Sequence, residues 1–161
     1  GGFDTFFSYK NISLDLNFIY SYGNYLFDGR ARGSLADGRL TPRSTATWAY
    51  ENRWVPGKSD ALLPMHRWGG SPGSGERATS RWLYDGSFVR LRDLTLSYNL
   101  PKALTSTINA NSMRVYFRGT NFLTFTKHKD LYMDPEQAVN GNYDALTPAS
   151  KTISLGINIL L

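Results

Sequence analysis

His66 and His128 are the chain's only imidazoles, and neither has a second histidine at the spacing a metal site uses. Both read as surface residues. Cysteine is absent, which removes thiolate ligands, disulfides and a cysteine nucleophile together. Asp130, Asp134, Glu136 and Asp144, with Asn140 and Asn142 between them, offer oxygens of the kind that calcium gathers in sets of about six to eight. Their spacing matches no calcium loop, so they are weak candidates beside the reading of an acidic turn. Ser71 and Ser74 stand among glycines without the strand-to-helix setting of a nucleophile elbow, and read as linker. Carboxylates are spread along the polar stretches, and no spacing marks a pair for glycoside hydrolysis. The expectation is a protein that is not an enzyme and holds no cofactor.

Recognition is better supplied than catalysis. Trp48, Trp54, Trp68 and Trp82, with Tyr84 and Tyr132, carry rings that stack on sugars and peptides while their polar edges donate hydrogen bonds. The bland alternative is that some of them only pack polar segments together. Arg114 and Arg118 lie two turns of alternation apart in a strand-like stretch and are further candidates for touching a ligand. The formal charge of +5 comes from 18 basic and 13 acidic residues intermixed along the chain. With no basic stripe and no recognition motif, nucleic acid is not an expected partner.

The elements that must hold these residues are strands. Aromatics make up 14% of the 161 residues, with 15 glycines and 7 prolines, a mixture suited to strands joined by turns and loops. Ile12, Leu14, Leu16, Phe18, Tyr20 and Tyr22 alternate with mostly polar neighbours. That run of about eleven residues has the length of a tilted membrane-crossing strand, whereas soluble strands run nearer five or six. No stretch reaches the roughly 18 apolar residues of a spanning helix.

Further strands are expected at 3–9, 87–100, 113–125 and 150–161. The Lys10-Asn11 dipeptide makes the first hairpin, and Pro101, which has no amide hydrogen, ends the third strand. Val89 and Leu91 are out of phase with Leu94, Leu96 and Tyr98, so a bulge or a change of surroundings is expected between Leu91 and Leu94. In the fourth strand Met113, Val115, Phe117, Gly119, Leu123 and Phe125 form the apolar row, broken at Asn121, opposite Arg114, Tyr116, Arg118 and Thr120. Long polar spans at about 23–80 and 126–149 alternate with the short turns. Outer-membrane barrels alternate in this way, with long loops outside and short turns at the periplasm.

Five strands cannot close a barrel, and an open edge is not tolerated in lipid, so neighbouring strands are expected from elsewhere. Two rivals stand beside this reading: a soluble β-sandwich that binds carbohydrate, with its apolar faces meeting in a core, and a barrel porin or adhesin not coupled to energy.

The entry Asp85-Gly86-Ser87-Phe88 and the exit Tyr98-Asn99-Leu100-Pro101 resemble a strand near the end of SusC/RagA proteins. Arg114-Val115-Tyr116, Gly119-Thr120-Asn121-Phe122 and Phe125-Thr126 resemble the strand that follows, Tyr132-Met133-Asp134-Pro135-Glu136 a loop of that family, and Asn52-Arg53-Trp54 with Pro56 an upstream segment. The finish Ser154-Leu155-Gly156-Ile157-Asn158-Ile159-Leu160-Leu161 resembles a barrel-assembly signal, though most such signals end in an aromatic residue. The resemblance implies the carboxy-terminal antiparallel strands of a transmembrane β-barrel of about 22 strands. It further implies a plug lying outside this chain, TonB coupling, a SusD-like surface lipoprotein, glycan or peptide cargo, and a place in the bacterial outer membrane.

Overall fold

At Lys10 the backbone adopts a φ of +53°, the left-handed geometry that lets a two-residue turn follow the twist of its strands. Strand β1 (Gly2–Tyr9) therefore folds back directly onto β2 (Ile12–Ser21), with Tyr9 opposite Ile12 and Phe3 opposite Phe18. The two phenyl rings stack at 4.8 Å. The structure is a computed structural model and describes residues 1–35, 37–38, 44–70, 79–129, 131–137, 140–144 and 147–161.

The chain divides into two units. The first is an antiparallel sheet formed by β1, β2, β5 (Phe88–Asn99), β6 (Ser112–Thr126) and β8 (Thr152–Leu160), paired in that order. Pro101 closes β5, a short helix α3 (Lys102–Thr105) and a 3-10 turn follow, and Asn109 ends the turn at a φ of +54°. A residue that tolerates the left-handed region is what such an ending requires.

The phase change in β5 is a bulge. Leu91 pairs with Phe18 and Leu123, Asp93 pairs with Asn17 and Thr120, and Arg92 has no cross-strand residue opposite it in either register. The extra residue turns Val89 and Leu91 onto the side occupied by Leu94, Leu96 and Tyr98, so a sequence that changes phase yields one unbroken face. On β6 the same place is marked by Asn121 at a φ of +51°. Its side-chain amide donates to the Ser150 carbonyl at 3.0 Å. Phe122 follows, its ring lying over Gly119 and edge-on to Phe117 at 6.2 Å.

Register then decides which side chains share a face. Ile12, Tyr98 and Val115 stand in one row with Ile157; Leu14, Leu96, Phe117 and Leu155 form the next. The residues paired on this side carry no Asp, Glu, Lys, Arg or His from β1 to β8. They are also uncovered: Leu155 is 79% exposed and Ile153 61%. An apolar side this continuous and this open is not a core.

The second unit is built from the two long connections. Strand β3 (Tyr25–Asp28) pairs antiparallel with β4 (Leu83–Asp85) and parallel with β7 (Asn142–Tyr143), which arrives from the other connection. Helix α1 (Gly29–Ser34) starts at Asp28, whose Oδ1 accepts from the Ala31 amide at 2.7 Å, an N-cap. Helix α2 (Thr47–Asn52) follows. Ala31, Ala49, Leu63 and Trp82 are buried together, with Phe27 and Leu35 packed against them. The span 23–80, read from sequence as a loop with room for short local elements, contains several. Each runs only four to six residues, too short for periodicity to register.

Candidate functional site

The polar side of the sheet holds a ladder of paired groups. Arg118 donates from Nε and Nη2 to Asp93 Oδ1 at 3.1 and 2.8 Å, and the Thr120 hydroxyl meets the same oxygen at 3.4 Å. Asn17 donates to Asp4 at 2.5 Å, Arg114 to the Ser97 hydroxyl at 2.5 Å, and Arg90 to the Thr124 hydroxyl at 3.0 Å. Strand pairing places these groups: Asn17, Asp93, Thr120 and Thr152 form one row, and Asp15, Thr95, Arg118 and Ser154 the next. Asp4, Asp15, Asn17, Asp93 and Thr95 line a shallow depression of about 220 Å³.

The ladder is not saturated. Arg114 Nε and Asn17 Oδ1 are buried without a partner among the described residues, an arrangement that suits a ligand or a covering segment. The alternation of β6 is what brings Arg114 and Arg118 to this side. Their partners Ser97 and Asp93, and the separate pair Asn17 and Asp4, were not singled out from sequence. Alternation puts them on the polar side, but only cross-strand register shows which groups meet. Arg90 is 4% exposed within this polar side.

The second unit presents rings. Trp68 is 86% exposed, and Trp48, Trp54 and Tyr132 are exposed as well. Tyr84 is half-buried and meets Tyr132 edge-on at 6.2 Å. Trp82 is the exception: it is 2% exposed inside the small core, so it packs α1 against α2 and offers no free face. Tyr50 was missed, although it is exposed and carries the Arg53 guanidinium 3.5 Å above its ring. The three-residue spacing of the pair was the available signal.

Asp28 was missed too. It is completely buried, and Oδ2 has no partner among the described residues. Burial pushes its carboxyl above the ordinary value of 3.8 despite amide hydrogen bonds from Ala31 and Arg30 and the Arg30 charge, and the Asp144 charge adds to the rise. Burial likewise raises the Tyr84 phenol, with the Asp28 charge as a second cause.

Among the described residues the calcium candidates do not converge. Asp134 Oδ1 accepts from the Glu136 amide at 3.1 Å, closing a local turn. Asp144 sits over Gly29, and Asp130 lies outside the described residues, as do Ser71 and Ser74. Among the described residues no group of three or more metal-binding side chains is assembled.

No protein-family model matches the chain. It is 30% identical over 168 residues to TonB-dependent receptor P3 of Formosa agariphila, covering 98% of this chain and 16% of that protein. TonB-dependent receptor P26 of the same organism is 28% identical over 169 residues, with the same coverages. Among solved structures, the RagAB peptide importer in its closed-closed state superposes with a TM-score of 0.75 at 30% identity, over 99% of this chain and 17% of that one. The RagAB peptide transporter gives 0.72 at 28% identity, over 94% and 16%. The chain therefore spans about one sixth of the length of the curated relatives it matches.

Proposed function

The chain belongs to the SusC/RagA type of TonB-dependent receptor, its sheet being part of a larger barrel, and from that premise we propose that it forms carboxy-terminal wall of an importer of large nutrients. The importer works in the bacterial outer membrane, drawing energy through TonB and receiving cargo from a SusD-like surface lipoprotein. The observation that carries this reading is the uncharged, uncovered apolar side shared by all five long strands. Hydrocarbon can wet such a side, and every backbone group behind it is satisfied only when neighbouring strands close the barrel.

In this arrangement the turns at Lys10 and Pro101 face the periplasm and the two long connections face outside. The polar ladder with Arg114 and Arg118 lines the lumen, against the plug or passing cargo. Of the two cargo classes, peptides are favoured over glycans because the structural neighbours are named as RagAB peptide transporters. The segment performs no catalysis.

The exposed rings of Trp68 and Tyr132 are assigned to cargo or to the lipoprotein lid. In the full-length receptor, Trp68→Ala and Tyr132→Ala are each expected to weaken binding of a labelled oligopeptide by about fivefold, the loss of about 1 kcal/mol of stacking. Unchanged binding and lipoprotein capture by both variants, with the barrel still folded, would remove these rings from the site.

A further inference from the structure

The last turn of α2 gathers two cations. Arg53 follows the helix in extended backbone. Its guanidinium lies over the Tyr50 ring, 3.5 Å from the ring centre, while Nη1 donates to the Tyr50 carbonyl. Lys58 reaches the same place by way of a turn. Its amide donates to the Val55 carbonyl at 3.0 Å, with Pro56 and Gly57 between them and Gly57 at a φ of +87°. Proline followed by a left-handed glycine is the pattern of a type II turn. The chain thus doubles back, and the Lys58 ammonium donates to the Glu51 carbonyl at 2.5 Å. A guanidinium and an ammonium therefore rest on consecutive carbonyls.

The backbone around them is fixed independently of the two charges. The Trp54 amide donates to the Leu63 carbonyl at 2.8 Å, and the Leu62 and Leu63 amides both donate to the Asn52 carbonyl at 3.1 Å. The Asn52 side-chain amide donates to the Trp48 carbonyl at 2.9 Å. Capping the helix end accounts for one N–H of each cation. It does not account for the charge, because a helix end offers at most about half an elementary charge against two positive groups. Most of their N–H donors are left over. Among the described residues neither cation meets a carboxylate at ion-pair distance, although Glu51 and Asp60 are close in sequence and exposed.

Resting on the reading that the long connections meet peptide cargo, we propose that Arg53 and Lys58 form a carboxylate-binding site for that cargo. The guanidinium presents a planar fork that matches the two oxygens of a carboxylate, and the ammonium adds a second charge without a fixed direction. The Tyr50 ring beneath the guanidinium and the carbonyl that Nη1 already holds fix the plane of the fork. Less freedom is then lost when the ligand arrives. Carboxylate is the anion that an unmodified peptide carries, either at its C terminus or on Asp and Glu side chains. Both sources present the same chemistry to the site, and the peptides used in the test separate them.

The test uses the full-length receptor and a labelled oligopeptide with a single glutamate, in four forms: unmodified, amidated at its C terminus, with glutamine in place of the glutamate, and with both changes. The unmodified peptide is expected to bind about fivefold more tightly than the doubly neutralised one, the equivalent of about 1 kcal/mol. High salt should shrink the difference. The single change that reproduces the loss identifies the source of the carboxylate. Arg53→Gln should bind all four forms alike, and Arg53→Lys, which keeps the charge but not the fork, should lose most of the preference. The four peptides are compared first on the unaltered receptor, so the comparison decides the matter even where a variant does not assemble. Equal binding of all four forms, or a full preference surviving in Arg53→Gln or Arg53→Lys, would overturn the site and leave peptide cargo standing. Binding of none of the four would sink the peptide reading and the site together.

Discussion

The ring of Tyr116 occupies the space directly above Gly156, its cross-strand partner, so that a Cβ added to the glycine would overlap the phenol carbons and oxygen. An aromatic side chain laid over a glycine compensates for the packing that residue lacks in a strand. Here it joins the last two strands of the sheet on their polar side.

Gly156→Val is expected to displace that ring and destabilise the folded receptor by about 1–3 kcal/mol, the ordinary range for overpacking. Combining it with Tyr116→Ala should recover part of the loss, because the overlap disappears with the ring. The temperature at which the full-length receptor loses its folded band on a semi-native gel measures both; purely additive losses would contradict the contact.

Asn121 predicts its own substitution order. Its φ of +51° and its hydrogen bond to Ser150 are separate constraints. Asn121→Gly keeps the backbone geometry and loses only the bond, at about 0.5–1.5 kcal/mol. Asn121→Val loses the bond and adds left-handed strain of about 1–2 kcal/mol more. A valine variant as stable as the glycine variant in the same gel assay would show that the bulge is not held by Asn121.

Asp28 sets a pH dependence of unusual sign. Its folded carboxyl holds its proton to higher pH than the unfolded chain does, because burial penalises the charge. Below 3.8 both states are protonated and nothing is lost. Between that value and the raised folded value the unfolded state releases its proton first, so stability of the second unit falls as pH rises, and then stays level. Asp28→Asn keeps an N-cap acceptor but cannot ionise, so this fall should vanish and the unit should be firmer at neutral pH. Asp28→Ala should also be free of the fall, but lie about 1 kcal/mol below Asp28→Asn at every pH for want of the cap. Hydrogen exchange at the Ala31 amide distinguishes them; an asparagine variant that opens more readily than the parent at neutral pH is the outcome that would refute the sign.

The Arg118–Asp93 pair is geometrically good but its side chains are 55% and 32% exposed, and an exposed pair contributes under about 1 kcal/mol. Asp93→Asn should therefore leave barrel stability nearly unchanged, and its small effect should shrink further in high salt. A loss of several kcal/mol would mean that the surroundings of the pair in the full receptor are drier than its exposure in this segment indicates.

Long strands were legible because alternation over about ten residues survives local noise. The run read as 12–22 is a strand over Ile12–Ser21, and the run read as 113–125 is one over Ser112–Thr126. The out-of-phase Val89 and Leu91 left a bulge and a change of surroundings both open, and pairing across two strands settles it as a bulge at Arg92. The second unit was not legible in detail. Its core comes from residues as distant as Ala31 and Trp82, and its β3–β7 pairing spans most of the chain. Site residues divided the same way: the polar side of β6 followed from alternation, whereas burial of Trp82 and Asp28 depended on contacts that no local pattern encodes.

Phe27 and Asp28 take Asn142 and Tyr143 as backbone neighbours, and that small ladder has a consequence for divergence. Two excursions that leave the sheet between different pairs of strands become one inherited object, since lengthening or replacing either deletes half of a shared fold. Grafting a single excursion between relatives should yield misassembled receptors, while grafting both together should carry their recognition surface intact. Diversification among such receptors is accordingly expected to proceed by paired exchange.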